Sequence, residues 1–146
     1  MCAPDRRRSV AGPVCAPDLL AGRDELRAVD LLDYPLIHYD WFSPDSDTPT
    51  WHKWWATARL VDPTLPELPG DWAFRFSEEL HALDAVLAGH GIAICSDIVL
   101  ADALRDGTLC RAHKLAVPGY GFYLAHLPDA REPLIDAFHD WMTSSA

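Results

Sequence analysis

The chain has 146 residues, of which 49% are hydrophobic, and its formal net charge at pH 7 is −10. This length is enough for one ordinary domain with its own core, or for two small lobes. The negative charge argues against nucleic acid binding by this polypeptide itself, because affinity for DNA rests largely on Lys and Arg residues that neutralise phosphates. The basic cluster Arg6–Arg8 is interpreted as part of a solvated terminal tail.

The cysteine pattern and the absence of long apolar runs restrict the protein class further. Cys2, Cys15, Cys95 and Cys110 show no CxxC spacing, and Cys95 lies in an apolar run. Neither a metal site nor a disulfide framework is therefore expected, and reduced, buried cysteines fit a cytoplasmic protein. No run of about eighteen apolar residues predicts a membrane span, and no apolar segment follows the arginines as it would in a secretory signal.

The first forty residues predict short elements separated by irregular chain. Residues 1–12 are interpreted as a disordered tail, and a short strand is predicted at Pro13–Ala16. Pro17 suits the first turn of a small helix, because proline is tolerated where no helical N–H bond is needed. A helical turn is predicted at Val29–Leu32, ahead of a strand at Leu36–Tyr39 and a loop rich in Ser, Asp and Pro.

A helix with three tryptophans is predicted after this loop. Thr50 is placed as its N-cap, and Trp51, Trp54 and Trp55 fall on one helical face. Indoles at this spacing are typical of a hydrophobic core, and an aromatic ligand box is the alternative. The proline-rich segment Val61–Asp71 is interpreted as a connector.

Residues 73–127 give the clearest signal, because they alternate between predicted strands and helices. Ser77 and Ser96 are each placed as the N-cap of a helix, and Gly89 and Gly107 are predicted to end those two helices. Apolar strands alternating with helices predict an α/β fold, with a mostly parallel sheet covered on both faces. The strands are assigned to Ala73–Ser77, Ile92–Cys95, Leu109–Ala112 and Gly121–His126.

Two apolar stripes at helical spacing are predicted to be buried. The helix after Ser77 has the stripe Leu80, Leu83, Val86 and Leu87. A closing helix, in which Pro133 suits the first turn, has the stripe Leu134, Phe138, Trp141 and Met142.

The sequence offers few candidates for chemistry. Its histidines lack the HxxxH and HExxH spacings, so no metal site is predicted, and His38 is either a structural histidine or a residue that lines a cleft. Cys95 and Ser96 place a nucleophile at a strand-to-helix turn, but the flanking glycines of GxSxG are absent and no histidine is assigned as the base. Gly89-His90-Gly91 and Gly119-Tyr120-Gly121 are interpreted as turns, so no dinucleotide or other cofactor is expected.

The default ligand is a small polar or anionic molecule. The predicted helices that start at Ser77 and Ser96 follow strands, and ligands of open α/β sheets bind at the carboxyl ends of strands. Free N–H groups at a helix start favour anions. Glu78, Glu79 and Asp97 lie beside the same helix starts and would compete with a bound anion.

Six segments occur along the chain in an order that carries a family resemblance. They are Pro13–Pro17, Asp30–His38, Trp51–Trp55, Ala82–Ala93, Tyr123-Leu124 and Pro133–Trp141. This order resembles the effector-binding domain of LysR-type transcriptional regulators, in particular the branch of the glycine-cleavage and β-lactamase activators. The resemblance spans about residues 9 to 142 and implies a two-lobed α/β fold like that of type 2 periplasmic binding proteins.

The resemblance also implies how the chain is divided and what it lacks. Residues 13–146 would be a partial effector-binding domain, with lobe two at about 17–116 and the return strand and closing helix of lobe one at about 117–146. The winged helix-turn-helix, the linker helix and the rest of lobe one would lie upstream of Met1, so the chain is expected to be a truncated regulator. Operator DNA would be bound only through the missing N-terminal domain, and the intact protein would be a homodimer or homotetramer without membrane contact.

Family effectors lie between the lobes, and the resemblance implies six effector-binding residues in this chain. Ser77 and Ser96 would donate hydroxyl and backbone hydrogen bonds, with simple helix capping as the alternative, and Tyr123 would stack on the ligand or close over it. Two other functions stay open: a solute-binding module for transport, or a small hydrolase that uses Cys95 or Ser96 with a histidine within about 3 Å. The six residues are Cys15, Ala16, Phe76, Ser77, Ser96 and Tyr123.

Overall fold

A computed structural model of the chain describes residues 6–40, 48–123 and 133–144. Its strands are β1 (Arg6–Cys15), β2 (Leu36–Tyr39), β3 (Phe74–Phe76), β4 (Ile92–Ser96), β5 (Cys110–Arg111) and β6 (Val117–Tyr123). Its α-helices are α1 (Trp51–Val61), α2 (Glu79–Leu87), α3 (Asp97–Arg105) and α4 (Pro133–Ser144), and short 3-10 helices lie at Pro17–Leu20 and Val29–Asp33. The chain divides into two compact units, Ser9–Tyr120 and a second made of Met1–Arg8 with Gly121–Ala146.

The strands form a mixed sheet in the order β3-β2-β4-β1-β5, and β6 also pairs with β1. β2 is parallel to both β3 and β4. β1 is antiparallel to both β4 and β5. The α/β class is therefore confirmed. The prediction of a mostly parallel sheet is correct only for β2, β3 and β4. The βαβ connections that produce parallel pairs are visible in the sequence, but nothing in a single strand sequence gives the direction of β1.

Both faces of the sheet are covered, as expected for an α/β fold. In β4, Ile92 and Ile94 belong to the core on one face, whereas Ala93 and Cys95 belong to the core on the other. This alternation is the period of two that a strand imposes on its side chains. Helix α1 covers the first face, and α2 and α3 cover the second.

The three tryptophans of α1 are core residues and not a ligand box. Trp51, Trp54 and Trp55 are at most 2% exposed. Each indole N–H donates to a backbone carbonyl, at 2.9 Å to Ile37, 2.8 Å to Leu115 and 2.8 Å to Pro66 respectively. Because a buried N–H needs an acceptor, these three bonds fix the indoles in place. The N-cap is confirmed as well, since Thr50 Oγ1 accepts from the Lys53 N–H.

The prediction of a disordered tail through residue 12 is wrong for residues 6–12, because β1 begins at Arg6. Gly12, the last residue of the predicted tail, and Pro13, the first residue of the predicted strand, both lie within β1. Gly12 is opposite Cys95, and Pro13 is opposite Ile94. A Cβ atom on Gly12 would lie 3.1 Å from the Leu115 carbonyl oxygen, so glycine permits a close approach between neighbouring chain segments.

The interpretation of Gly119-Tyr120-Gly121 as a turn is also wrong, because all three residues lie in β6. A Cβ atom on Gly119 would lie 2.5 Å from Ser9 Oγ. Ser9 Oγ donates to the Tyr120 carbonyl at 2.9 Å, which brings this hydroxyl close against β6. The glycine at position 119 therefore serves strand packing and not chain reversal. Of the predicted strand Gly121–His126, residues 124–126 lie outside the described part of the chain.

Three of the four predicted helix ends of α2 and α3 are confirmed. Ser96 caps α3 by accepting from the Ile98 N–H at 3.4 Å, and Gly89 and Gly107 follow their helices with φ of 78° and 77°. Ser77 is not a cap, because the N-cap of α2 is Glu78 and no side chain bonds there. The His90 N–H donates to the Ala85 carbonyl at 3.0 Å, which is the closing bond of a Schellman motif.

Both predicted apolar stripes differ from the observed burial. In α2, Leu80 and Leu87 are 66% and 43% exposed, and the buried face consists of Ala82, Ala85 and Val86. Small alanine side chains let a helix lie close to a sheet. A prediction based on hydrophobicity alone selects the leucine face of α2 instead of this alanine face. In α4, all four stripe residues are between 47% and 78% exposed. No helix among the described residues is long and apolar enough to span a membrane.

Trp51→Phe is expected to lower the free energy of unfolding by about 1–3 kcal/mol, because it removes a buried N–H···O bond and leaves the Ile37 carbonyl without its donor. Urea denaturation followed by circular dichroism measures the change. Trp141→Phe is the matched control at an indole that is 60% exposed, and it should stay within about 0.5 kcal/mol. Equal effects of the two substitutions would contradict the assignment of Trp51 to the core.

Candidate functional site

A polar cluster lies at the carboxyl ends of the parallel strands, where ligands of open α/β sheets bind. Tyr39 ends β2, Ser96 ends β4, and Glu79 is the first residue of α2. The Tyr39 hydroxyl donates to Glu79 Oε1 at 3.3 Å, and the Ser96 N–H donates to the same oxygen at 3.4 Å. The Glu79 carboxylate therefore joins the ends of two parallel strands to the start of a helix.

The electrostatics of this cluster are dominated by burial. Burial raises the pKa of Glu79, against the opposing effect of the hydrogen bonds from the Ser96 N–H and the Tyr39 hydroxyl. Burial, and then the charge of Glu79, raise the pKa of Tyr39 above its usual range, so this hydroxyl stays a neutral donor. Burial, and then Glu79 again, likewise raise the pKa of the Cys95 thiol. A carboxylate of the protein thus occupies the place where the sequence predicted a bound anion.

A second set of hydrogen bonds surrounds Tyr120 in β6. Its hydroxyl lies 2.7 Å from Thr48 Oγ1, and its carbonyl accepts from Ser9 Oγ. Ser9 lies two residues before Ala11, which is opposite Ser96 in the β1–β4 register, so these hydrogen bonds lie beside the carboxyl edge. Thr48 precedes α1 and is only 3% exposed. Threonine and tyrosine hydroxyls are adaptable donors and acceptors, so this part of the edge suits a polar ligand.

Sequence reasoning missed Tyr39, Thr48 and Tyr120 as site residues. Tyr39 was only the last residue of a predicted strand, and Tyr120 stood between two glycines that read as a turn. The available signal was position, since polar residues that end parallel strands share one edge of the sheet. Glu79 was noticed in the sequence, but only as a competitor for an anion.

The structure brings together three of the six predicted effector residues. Phe76 is opposite Tyr39 in the β2–β3 register, is half-buried and packs against the second core. Ser77 follows it and is exposed. Ser96 is 6% exposed, its hydroxyl caps α3 and its N–H bonds Glu79. Capping of α3 by Ser96 is confirmed, and its role in binding an effector stays a prediction.

Cys15 and Ala16 lie away from this edge. Within β1, Ala11 is opposite Ser96, whereas Cys15 is opposite Cys110 and four residues farther along the strand. At about 3.3 Å per residue, that spacing separates Cys15 from the row of Ser96 by roughly 13 Å. The antiparallel direction of β1 is the reason, because it carries residues 15 and 16 towards the amino ends of β2 and β4. Tyr123 lies in the other compact unit and is 55% exposed, so its role stays a prediction.

Cys15 has a partner that the sequence spacing did not reveal. Its Sγ lies 3.8 Å from Cys110 Sγ, and both cysteines are free thiols. Burial is the main cause that raises the pKa of Cys15, to about 12, and the neighbouring Cys110 adds to the effect. A thiol with so high a pKa is almost entirely protonated at neutral pH, which argues against Cys15 as a nucleophile. The role of Cys15 in binding an effector stays a prediction.

The geometry gives no nucleophile and base pair at Cys95 and Ser96. Cys95 is fully buried. Within the described ranges, the hydrogen bonds of Ser96 run to Ile98 and Glu79, and neither is a histidine. His38 stacks on Trp72 with ring centroids 4.9 Å apart, and burial lowers its pKa, which favours the structural interpretation of this histidine. Residues 6–40, 48–123 and 133–144 contain no group of three potential metal ligands.

Comparison with known proteins gives the family. The sequence profile described as the LysR substrate binding domain matches residues 8–146. The chain belongs to this family. It is 33% identical over 135 residues to the HTH-type transcriptional regulator y4mQ of Sinorhizobium fredii, covering 90% of this chain and 41% of that protein. It is 27% identical over 137 residues to the glycine cleavage system transcriptional activator of Escherichia coli, covering 92% and 41%.

Solved structures of LysR-type effector domains share the fold. The effector domain of AmpR from Pseudomonas aeruginosa matches with a TM-score of 0.64 at 20% identity, covering 99% of this chain and 66% of that chain. The regulatory domain of AphB from Vibrio vulnificus matches with a TM-score of 0.60 at 16% identity, covering 100% and 71%. The predicted fold, like that of type 2 periplasmic binding proteins, is thereby confirmed. This LysR-family chain spans about 41% of the length of the curated relatives named above.

Glu79→Gln is expected to raise the thermal unfolding midpoint relative to the parent more at about pH 7.5 than at about pH 5. The folded state raises the pKa of Glu79, so it holds a proton more tightly than the unfolded chain, and stability is lost as the pH rises through the folded pKa. Glutamine keeps an acceptor for Tyr39 and Ser96 but carries no charge. Scanning calorimetry at the two pH values measures the difference.

The exposed residue Glu67 provides the control, because Glu67→Gln removes a carboxylate that is solvated in the folded chain. Its effect on the unfolding midpoint at about pH 7.5 should be smaller than that of Glu79→Gln, because the side chain of Glu67 is exposed. A gain at Glu79 that shrinks as the pH rises would contradict the raised pKa of its carboxylate.

Proposed function

We propose that this chain senses a small polar metabolite for a LysR-type transcriptional regulator, and that it binds the metabolite at the carboxyl edge of β2, β3 and β4. The observation that carries the proposal is the polar cluster of Tyr39, Glu79 and Ser96 at that edge. Membership of the LysR substrate-binding domain family supports it. Tyr120 and Thr48 extend the proposed site, and Phe76 at the end of β3 and Ser77 directly after it flank the site.

The proposed action is a shift between two arrangements of the protein, with no bond made or broken. A ligand that binds one arrangement more tightly increases the population of that arrangement. In the whole regulator, this shift would reorient DNA-binding domains that other parts of the protein supply. We propose that the whole protein is a cytoplasmic homodimer or homotetramer, in which operator DNA is bound outside the present chain.

The residues at the edge restrict the ligand near the start of α3. Because Glu79 already supplies an acceptor to the Ser96 N–H, an anion placed there would meet the charge of this carboxylate. A hydroxyl or an amine fits this position better, since each can donate to Glu79. The effector is therefore proposed to present a hydrogen-bond donor at α3, a refinement of the anion that the sequence favoured.

Neither alternative function has comparable support. A solute-binding module for transport shares the fold, but the curated relatives named above are transcriptional regulators. A hydrolase at Cys95 or Ser96 lacks a histidine partner among the described residues. The sensor is the function that family and geometry support together.

A panel of amino acids, amines and carboxylic acids screened by thermal shift is expected to contain a ligand that stabilises the chain. For such a ligand, Tyr39→Phe should weaken binding about tenfold, because it removes a hydroxyl that orients Glu79 and because a lost hydrogen bond is worth about 1 kcal/mol or more. Isothermal titration calorimetry measures the dissociation constant.

The matched control is Tyr34→Phe, at a residue that precedes β2 and whose hydroxyl bonds Leu19 and Arg23. It should leave the dissociation constant unchanged. Equal weakening by both substitutions would mean that the ligand does not contact the carboxyl edge.

The chain by itself is expected to bind no operator DNA, because its net charge of −10 repels phosphates. A gel-shift assay with the operator of the regulator, at low and at physiological salt, tests this expectation. Tight binding of the specific duplex that weakens steeply with salt would contradict it.

A further inference from the structure

Arg111 has one buried guanidinium nitrogen without a hydrogen-bond partner. Its Nη1 atom is the only buried side-chain nitrogen or oxygen in the described part of the chain that forms no hydrogen bond. Burying part of a guanidinium away from water costs free energy unless an acceptor replaces the lost hydration. A buried donor without an acceptor is rare in native proteins and needs an explanation. One explanation is a ligand that supplies the acceptor when it binds.

The position of Arg111 directs this donor towards the candidate site. Arg111 lies in β5 opposite Val14, and its Nη1 lies 3.2 Å from the point where a Cβ on Gly12 would be. Gly12 is opposite Cys95, the residue before Ser96. The side chain therefore extends along β1 from the row of Val14 towards the carboxyl edge, and glycine at position 12 leaves space for it.

The effect of Arg111 on Cys95 supports this placement. Burial and the charge of Glu79 raise the pKa of the Cys95 thiol, and the charge of Arg111 lowers it. The guanidinium of Arg111 and the carboxylate of Glu79 thus both influence the buried thiol of Cys95, near the end of β4. No ion pair between Arg111 and Glu79 is present among the described residues.

Within the part of the chain that the structure describes, Arg111 lacks a carboxylate partner, although the chain has 22 acidic residues and only 12 Lys and Arg residues. Arg23 and Arg59 also have none among the described residues, but both are exposed. Three exposed arginines of the described ranges form ion pairs with aspartates: Arg27 with Asp30, Arg75 with Asp40, and Arg105 with Asp102. Arg111, the arginine whose Nη1 is buried, has no such partner. A guanidinium gains most from an acceptor where it is buried, so Nη1 of Arg111 is the donor that a ligand would stabilise most.

We propose that Arg111 binds a carboxylate group of the effector, which makes the ligand a small carboxylate-bearing molecule. This inference rests on the proposed function and adds the chemical class of the ligand. A guanidinium presents parallel N–H donors that match the two oxygens of a carboxylate, a fit that an ammonium group does not reproduce. The carboxylate meets Arg111 beside β1, and the donor group of the same molecule faces Glu79 at α3.

The test measures the unfolding midpoint of the 146-residue chain in sodium acetate and in sodium chloride of equal ionic strength. The parent should gain stability in acetate beyond its gain in chloride, and Arg111→Met should abolish that extra gain. Without acetate, Arg111→Met should unfold at the same temperature as the parent or higher, because methionine removes a buried donor that has no acceptor. Arg105→Met, at an exposed arginine of α3, is the matched control and should keep the acetate response.

Arg111→Lys is the second variant, in case the methionine substitution prevents folding. It keeps the positive charge but lacks the paired donors, so the extra acetate shift should fall to a fraction of that of the parent. The inference is overturned if acetate adds nothing to the parent, if either Arg111 variant responds to acetate as the parent does, or if Arg111→Met unfolds several degrees lower without acetate. The last result would make Arg111 a structural residue.

The outcome for Arg111 can be separated from the outcome for the proposed function. An effector that binds the parent, loses affinity in Tyr39→Phe and keeps it in Arg111→Lys would leave the sensor function standing and remove Arg111 from the site. If no small molecule in the panel stabilises the parent, the proposed function itself fails.

Discussion

The pairing of β1 with β4 is the constraint on which the rest of the structure depends. Four consecutive residues of β1, from Ala11 to Val14, are opposite residues of β4. Ala11 belongs to the core beneath α1, and Val14 belongs to the core beneath α2 and α3. One strand therefore contributes to both cores, and it also connects the parallel strands with β5 and β6 on its other side.

The direction of β1 decides which residues reach the candidate site. Because β1 is antiparallel to β4, its residues near position 10 lie at the carboxyl edge, and residues 15 and 16 lie near the other end of the sheet. Asp97, the first residue of α3, accepts from the Val10 N–H at 3.1 Å and fastens the start of that helix to β1. The family-based expectation placed Cys15 and Ala16 at the first crossing between the lobes, and the antiparallel register instead puts Cys15 opposite Cys110.

The parts of the fold that were predictable from the sequence are those with local signals. Thr50, Ser96 and Gly89 mark helix ends through bonds to residues at most four positions away, and the alternation in β4 shows in its own five residues. Ser77 shows the limit of such signals, since it has the sequence pattern of a cap but stands two residues before α2. Glycine is ambiguous in another way, because Gly12 and Gly119 permit close approach between neighbouring chain segments and do not form a turn. Only the three-dimensional pairing distinguishes the two uses.

The candidate site was harder to predict because its bonds join distant parts of the chain. Tyr39 and Glu79 are 40 residues apart, and Ser9 and Tyr120 are 111 residues apart. No spacing rule relates such pairs, so the sequence indicated the edge through Ser96 but not the hydroxyls around it. The distance of Cys15 and Ala16 from this edge depends on the direction of one strand, which their own sequence does not reveal.

The Glu79 carboxylate makes the candidate site suitable for a switch. It accepts from the Ser96 N–H at the start of α3 while it begins α2, so one side chain connects the starts of two helices. A ligand that draws Glu79 away must supply an acceptor to the Ser96 N–H, since a buried N–H without one is costly. A ligand that instead donates to Glu79 keeps this bond and strengthens the connection. The two kinds of ligand would therefore favour different arrangements of α2 and α3, and a sensor needs such a difference in free energy to respond to one molecule and not to another.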